Sequence, residues 1–208
     1  MEKFEQQVSV SHYNINSYYT IKRWSSIWYQ MNELLACKPH SVLEVGGGIG
    51  ILKALLQKFN ISSTIADIAE DLNPDIVGSV TSLPCDDNSY DAVCAFQVLE
   101  HLPFAEFKNS LLELKRVTRK HVILSIPDAK PMVSLEFKIP KLGFRHFSFE
   151  IPYSKPPCFN DPEHHWEINR KGTSLHDVIR EIKNTGLKIT NTYRIKENPY
   201  HRFFRLEK

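Results

Sequence analysis

Ser41-Val42-Leu43-Glu44-Val45-Gly46-Gly47-Gly48-Ile49-Gly50 is the stretch on which the reading of the chain turns. A short apolar run with an acid near its end gives way to glycines, and Leu52, Leu55, Leu56 and Phe59 then recur at helical spacing. Strand, tight glycine turn and helix together let a backbone come close to a nucleotide-like ligand. Two cofactor classes use that arrangement with an acid at the end of the next strand. A dinucleotide fold asks for Gly-x-Gly-x-x-Gly, which after Gly46 and Gly48 puts the third glycine at position 51. Position 51 is Ile51, and the glycines fall instead at 46, 48 and 50, behind Glu44.

Working outward, the segment from Asn16 to Cys37 reads as a helix with Ile21, Trp24, Trp28, Met31 and Leu35 on one face, ended by Lys38-Pro39. That Trp-rich face is expected to pack on the sheet, with Tyr18, Tyr19 and Arg23 within reach of a ligand carboxylate. Residues 1–15 are polar and mixed, and read as an arm. Downstream, Ile61–Asp67 predicts a second strand ending in an acid, and Asp75–Val80 a short third. Tyr90–Phe96 is a near-continuous apolar run that suits a central strand covered on both faces. Phe104, Phe107, Leu111 and Leu114 mark the next helix, and His121–Ile126 a fifth strand stopped by Pro127. The alternation predicts an α/β fold with a doubly wound, mostly parallel sheet between helical layers.

From Asp128 to Lys171 the regularity fails. Seven of the twelve prolines lie between Pro127 and Pro162, among Phe137, Phe144, Phe147, Phe149, Tyr153, Phe159 and Trp166. So many aromatics argue against disorder, and the segment is expected to be a folded cover with a strand or two of its own. Pattern returns at Ser174, which with Asp177 can cap a helix carrying Leu175, Val178, Ile179 and Ile182. Leu187–Ile195 and Tyr200–Leu206 then alternate as a closing antiparallel pair around Lys196-Glu197-Asn198-Pro199.

The 208 residues suit a single domain, 1–208, with an arm and helix over 1–37 and an inserted cover over 128–171. A net charge of +2 and scattered Lys and Arg advertise neither a polyanion partner nor a nucleic-acid groove. The longest apolar stretch, near Ala92–Leu99, is too short to span a membrane. The start of the chain lacks the pattern of a signal peptide, and the four cysteines are far apart in sequence. Both features point to a reducing, cytoplasmic setting.

Several motifs in order resemble class I S-adenosylmethionine-dependent methyltransferases, and within them the type 11 subgroup. Glu44-x-Gly46-x-Gly48-x-Gly50 resembles their first motif. Asp67 is similar to the acid that takes the ribose hydroxyls, Gly78–Pro84 to the segment lining the adenine, and Asp87–Val93 to the approach to strand four. Phe96-Gln97-Val98-Leu99-Glu100-His101-Leu102 resembles the motif after strand four. The match runs over roughly residues 40–127. The resemblance implies a seven-stranded Rossmann-like sheet, three layers α/β/α, with an antiparallel last strand. It implies S-adenosyl-L-methionine as cofactor, S-adenosyl-L-homocysteine as product and a small-molecule methyl acceptor. It further implies cofactor contacts at Glu44, Gly46, Gly47, Gly48, Gly50, Asp67, Ile68, Ser79, Val80 and Gln97. One departure is Ser79, where the family commonly has an acid that bonds the adenine amino group.

If the acceptor must lose a proton, the candidate bases are Glu100, His101, His146, His164 and His165, with His101 and His165 preferred for their expected place near the mouth. Asp161-Pro162-Glu163-His164-His165-Trp166-Glu167 is rich in ligand types, but adjacent histidines point in different directions, so no metal site is expected there. Two other functions fit the same pattern. A catalytically silent adaptor would bind the donor without turning it over, and a nicotinamide enzyme would prefer NADH.

Overall fold

Strand β4, Tyr90–Phe96, shows how the sheet is built. In a strand, successive side chains point to opposite faces. Ala92 and Cys94 therefore join one apolar cluster while Val93 and Ala95 join the other. The same alternation holds for Val42 and Leu43 in β1 (Ser41–Val45), Val122 and Ile123 in β5 (Thr118–Pro127), and Phe203 and Phe204 in β9 (His201–Glu207). A run apolar at every position is thus covered on both sides, giving three layers α/β/α. The computed structural model describes Tyr13 and residues 18–151, 163–170 and 172–208.

The seven strands lie in the order β3-β2-β1-β4-β5-β9-β8, with β2 at Ser62–Asp67, β3 at Ile76–Val77 and β8 at Lys188–Arg194. Pairings from β3 through β5 are parallel, and β9 runs antiparallel to both β5 and β8. Helices α1 (Ile21–Cys37) and α2 (Ile51–Lys58) cover one face. Helices α3 (Phe107–Val117) and α4 (Leu175–Asn184) cover the other. The predicted capping box of α4 forms: Ser174 Oγ accepts from the Asp177 amide, and Asp177 accepts from the Ser174 amide. Cys37, Cys85 and Cys94 are unbridged. Among the described residues, no helix is long and apolar enough to cross a membrane.

Two expectations change. Helix α1 turns the first part of its predicted face outward, with Ile21, Trp24 and Trp28 exposed, while Met31 and Leu35 pack against the core as expected and Ser26, Ile27, Gln30, Glu33 and Leu34 are buried. Buried polar groups on that face find partners on the β8–β9 pair, which hydropathy alone could not weigh. Glu33 accepts from Tyr193 Oη at 2.8 Å and from Arg205 Nε at 2.7 Å, and Asn198 Nδ2 donates to Ser26 Oγ at 3.2 Å. The third strand is also shorter than predicted, because Asp75 takes the Ile65 amide and an ion pair with Lys53 instead of starting a ladder.

Within the expected cover, β6 (Met132–Ile139) and β7 (Gly143–Glu150) form a separate antiparallel hairpin. Val133, Leu135, Phe137, Phe147 and Phe149 share one face by register, and all but Val133 are plainly exposed. The opposite face is tied down by charge: Glu150 pairs with Lys130 at 2.6 Å and lies near Arg194 and Arg202. Tyr153, Cys158, Phe159 and the start of Asp161–Glu167 lie outside the described residues, as does residues 1–15 apart from Tyr13.

Candidate active site

The glycine turn leaves the carboxyl end of β1 and is shaped by space as much as by torsion. Gly46 has φ +72°, and a Cβ there would stand 2.4 Å from Val98 Cγ2; its amide donates to the Ala66 carbonyl at 2.9 Å. At Gly48, φ +53°, a Cβ would meet the Tyr13 ring at 2.8 Å. Only glycine takes both torsions without strain while neighbours stand so close. Gly50 occupies the N-cap of α2, so no side chain caps the first turn of that helix. Helix-start amides of this kind attract anionic groups.

Glu44 stands beneath the turn, buried, with Oε2 lacking any hydrogen-bond partner. Burial, followed by the charge of Asp67, pushes its carboxyl up to about 8. Asp67 closes β2 and accepts from the Ala69 amide at 3.0 Å. Burial pushes its carboxyl above the usual carboxylate range, and backbone amides there oppose the rise. Gln97 follows β4 with φ +58°, and its Nε2 donates to Ser125 Oγ at 3.0 Å. The Ser79 hydroxyl is engaged with Thr81 Oγ1 at 2.9 Å, Val80 is buried, and Ile68 is exposed.

A crevice of about 100 Å³ lies against this edge. Its floor includes Glu44, Gly46, Gly47, Gly48 and Gln97, five of the residues predicted to hold a cofactor. Gly50, Asp67, Ile68, Ser79 and Val80 lie outside its lining, at the turn and at the ends of β2 and β3. Tyr18, Tyr19 and Arg23 line the crevice as the sequence suggested, and Tyr13 joins them. Tyr13 meets Tyr18 edge-to-face at 5.0 Å, and the Arg23 guanidinium lies 4.4 Å from the centre of the Tyr18 ring. With this aromatic roof in place the space is below the ~300–1,000 Å³ of small-molecule sites. A polar arm gave no sequence signal for Tyr13.

Behind Tyr18 lies a second polar group. Glu100 is fully buried in the short turn Leu99–His101, and neither carboxylate oxygen has a hydrogen-bond partner. Burial pushes this carboxyl up to about 7 against the lowering charge of His164. A ligand-type atom from each of Glu100, His101 and His164 lies within 4.8 Å of the other two. The imidazoles of His101 and His164 meet edge-to-face at 5.0 Å. Trp166 anchors the strip that carries His164: its indole N–H donates to the carbonyls of Leu99 and Leu102, and its ring packs on Phe104 and Phe107. His165 donates its backbone N–H to the Glu100 carbonyl at 2.9 Å, but the residue is exposed. His146 lies on β7. Of the two preferred histidines, only His101 joins the cluster. Among the described residues, none of the hairpin lines the crevice.

The model of the Methyltransferase domain family matches residues 43–126, from β1 to the end of β5. Magnesium protoporphyrin IX methyltransferase from Synechocystis PCC 6803, solved with bound SAM, aligns with a TM-score of 0.60 at 16% identity, over 98% of this chain and 86% of that one. A SAM dependent methyltransferase from Aquifex aeolicus aligns at 0.60 and 14%, over 97% and 99%. The Burkholderia thailandensis 1,6-didemethyltoxoflavin-N1-methyltransferase, solved with its acceptor and S-adenosylhomocysteine, gives 0.55 and 11%, over 96% and 86%. At these identities the likeness is one of fold. No curated protein matches the sequence.

Proposed function

We propose that this chain, which matches the Methyltransferase domain model over residues 43–126 and shares the fold of solved methyltransferases, moves the methyl group of S-adenosylmethionine to a small-molecule acceptor. The observation that carries this reading is the crevice over Gly46–Gly48, with Glu44 below and Gln97 beside it. These residues fit the cofactor. Gly46 and Gly48 leave bare backbone along the crevice, where a Cβ would press on Val98 or Tyr13, and Glu44 Oε2 is a buried carboxyl oxygen without a hydrogen-bond partner, suited to a cationic ligand. Asp67, at the carboxyl end of β2, is positioned to take ribose hydroxyls, and the uncapped start of α2 to favour the amino-acid carboxylate. With the Ser79 hydroxyl engaged by Thr81, adenine contacts fall to backbone groups near Val80.

Methyl transfer from a sulfonium is an in-line displacement: the acceptor's lone pair forms the new bond to carbon as the carbon–sulfur bond breaks. Alignment supplies most of the acceleration such a step needs. Tyr18, Tyr19 and Arg23 give the acceptor side an aromatic wall with one cation. Proton removal, where the acceptor needs it, is assigned to the corner formed by Glu100, His101 and His164. The test is a methyl-release assay with S-adenosylmethionine over a panel of hydroxyl- and amine-bearing small molecules. Turnover with at least one acceptor supports the reading; donor binding without turnover on any would replace it with the adaptor.

A further inference from the structure

We infer that Glu100, His101 and His164, gathered at the turn after β4, form a binding site for a divalent transition-metal cation. The donor set comes first. One carboxylate and two imidazoles, each offering an atom within 4.8 Å of the others, make a mixed oxygen–nitrogen group. Such a group suits Mn, Fe, Co or Zn better than Mg or Ca, which favour all-oxygen shells. Three donors held at ~2.1 Å in a tetrahedral shell stand roughly 3.4 Å apart, so side-chain shifts on the order of 1 Å close the present spacing. Three protein ligands also leave a position for substrate or water, the pattern of catalytic rather than structural sites.

Glu100 gives the second argument. Its side chain is fully buried with both oxygens lacking a hydrogen-bond partner. A buried carboxylate left so is costly unless paired or bound to a metal. The third is orientation. His101 Nδ1 lies 3.1 Å from the Glu163 carbonyl, and His164 Nδ1 lies 3.1 Å from Glu167 Oε1. Glu167 is itself held by Arg170 at 2.7 Å. Metal-bound imidazoles characteristically have their other ring nitrogen fixed by a carbonyl or carboxylate in this way. Trp166 pins the strip in place, so the arrangement is built into the fold.

The inference deepens the methyl-transfer reading and rests on it for the role of the metal, though not for the site. Tyr18, which lines the crevice, feels the charge of Glu100. A cation there would suit a hydroxyl-bearing acceptor: it would make the O–H more acidic, and the proton would pass to solvent. The oxygen then bonds to the methyl carbon while the carbon–sulfur bond breaks and neutral S-adenosylhomocysteine leaves.

The test is titration of the chelator-stripped full chain with Co²⁺, read by visible absorption, with S-adenosylhomocysteine affinity measured calorimetrically on the same samples. One Co²⁺ per chain is expected, with affinity falling at least tenfold in Glu100→Gln and in His164→Ala but unchanged in His165→Ala. Retained S-adenosylhomocysteine binding in the variants certifies their fold. Should wild type bind Co²⁺ no better than Glu100→Gln and His164→Ala, or should His165→Ala be the variant that loses it, the site is overturned. Cobalt binding with no S-adenosylhomocysteine binding would keep the site and sink the methyl-transfer reading instead.

Discussion

Glu44 and Glu100 are both buried acids at the carboxyl edge of the sheet, and both have a carboxylate oxygen without a hydrogen-bond partner. Their surroundings are assembled in opposite ways. Around Glu44 the wall is backbone: glycines at 46, 47, 48 and 50, and Asp67 bonded to the amide of Ala69. Around Glu100 the wall is side chains: two histidines, one of them brought from the far end of a long insertion by the hold of Trp166. A wall of backbone fixes a shape that many related chains can share. A wall of side chains is where one chain can differ in the acceptor it takes.

The largest effect should come from filling the backbone wall. Gly46→Ala adds left-handed strain and an overlap with Val98, together about 2–5 kcal/mol. The turn escapes by moving, and calorimetry should find S-adenosylhomocysteine affinity lowered by roughly 30-fold to several thousand-fold. Gly46→Ala with Val98→Ala should recover the part due to overlap. If the single variant binds as wild type does, the cradle is not the cofactor's seat.

Glu44 sharpens the contrast through pH. Its folded value, about 8, lies above its unfolded value near 4.5. The unfolded chain therefore binds fewer protons between these limits, and stability is full below about pH 4.5 and lost as pH rises through 8. Glu44→Gln removes that loss. The variant should gain on wild type from pH 5 to pH 8, by up to about 4 kcal/mol, as followed by urea denaturation. Parallel pH profiles for the two proteins would contradict it.

Asp67→Asn should lower S-adenosylhomocysteine affinity about 10- to 100-fold, the range for a hydrogen bond to a charged group. Adenosine should feel the same loss if the ribose is the partner. The smallest effect concerns the roof. Tyr13→Ala opens the space over Gly48, and stopped-flow should show faster association and faster release, each by a few-fold.

The same contrast explains what the sequence made legible. Strands β1, β2, β4 and β5 and the turn at 46–50 were readable because their signals are local: a continuous apolar run, glycines in register, a strand-end acid. The buried face of helix α1 was read correctly at Met31 and Leu35 but not at its first turns, since Ser26, Gln30 and Glu33 are buried, two of them through partners as distant as Asn198 and Arg205. The approach of His164 to Glu100 and His101 depends on Trp166 packing under the turn after β4, a contact no spacing reveals. Tyr13 was unreadable for a similar reason: its ring comes to lie beside Gly48, a contact no spacing reveals.

The central claim is that the glycine crevice seats the methyl donor, and titration of S-adenosylhomocysteine into the wild-type chain tests it most directly. One molecule should bind per chain, with the affinity collapsing in Gly46→Ala. A chain that takes up none, or that binds equally well with Gly46 filled, contradicts the claim.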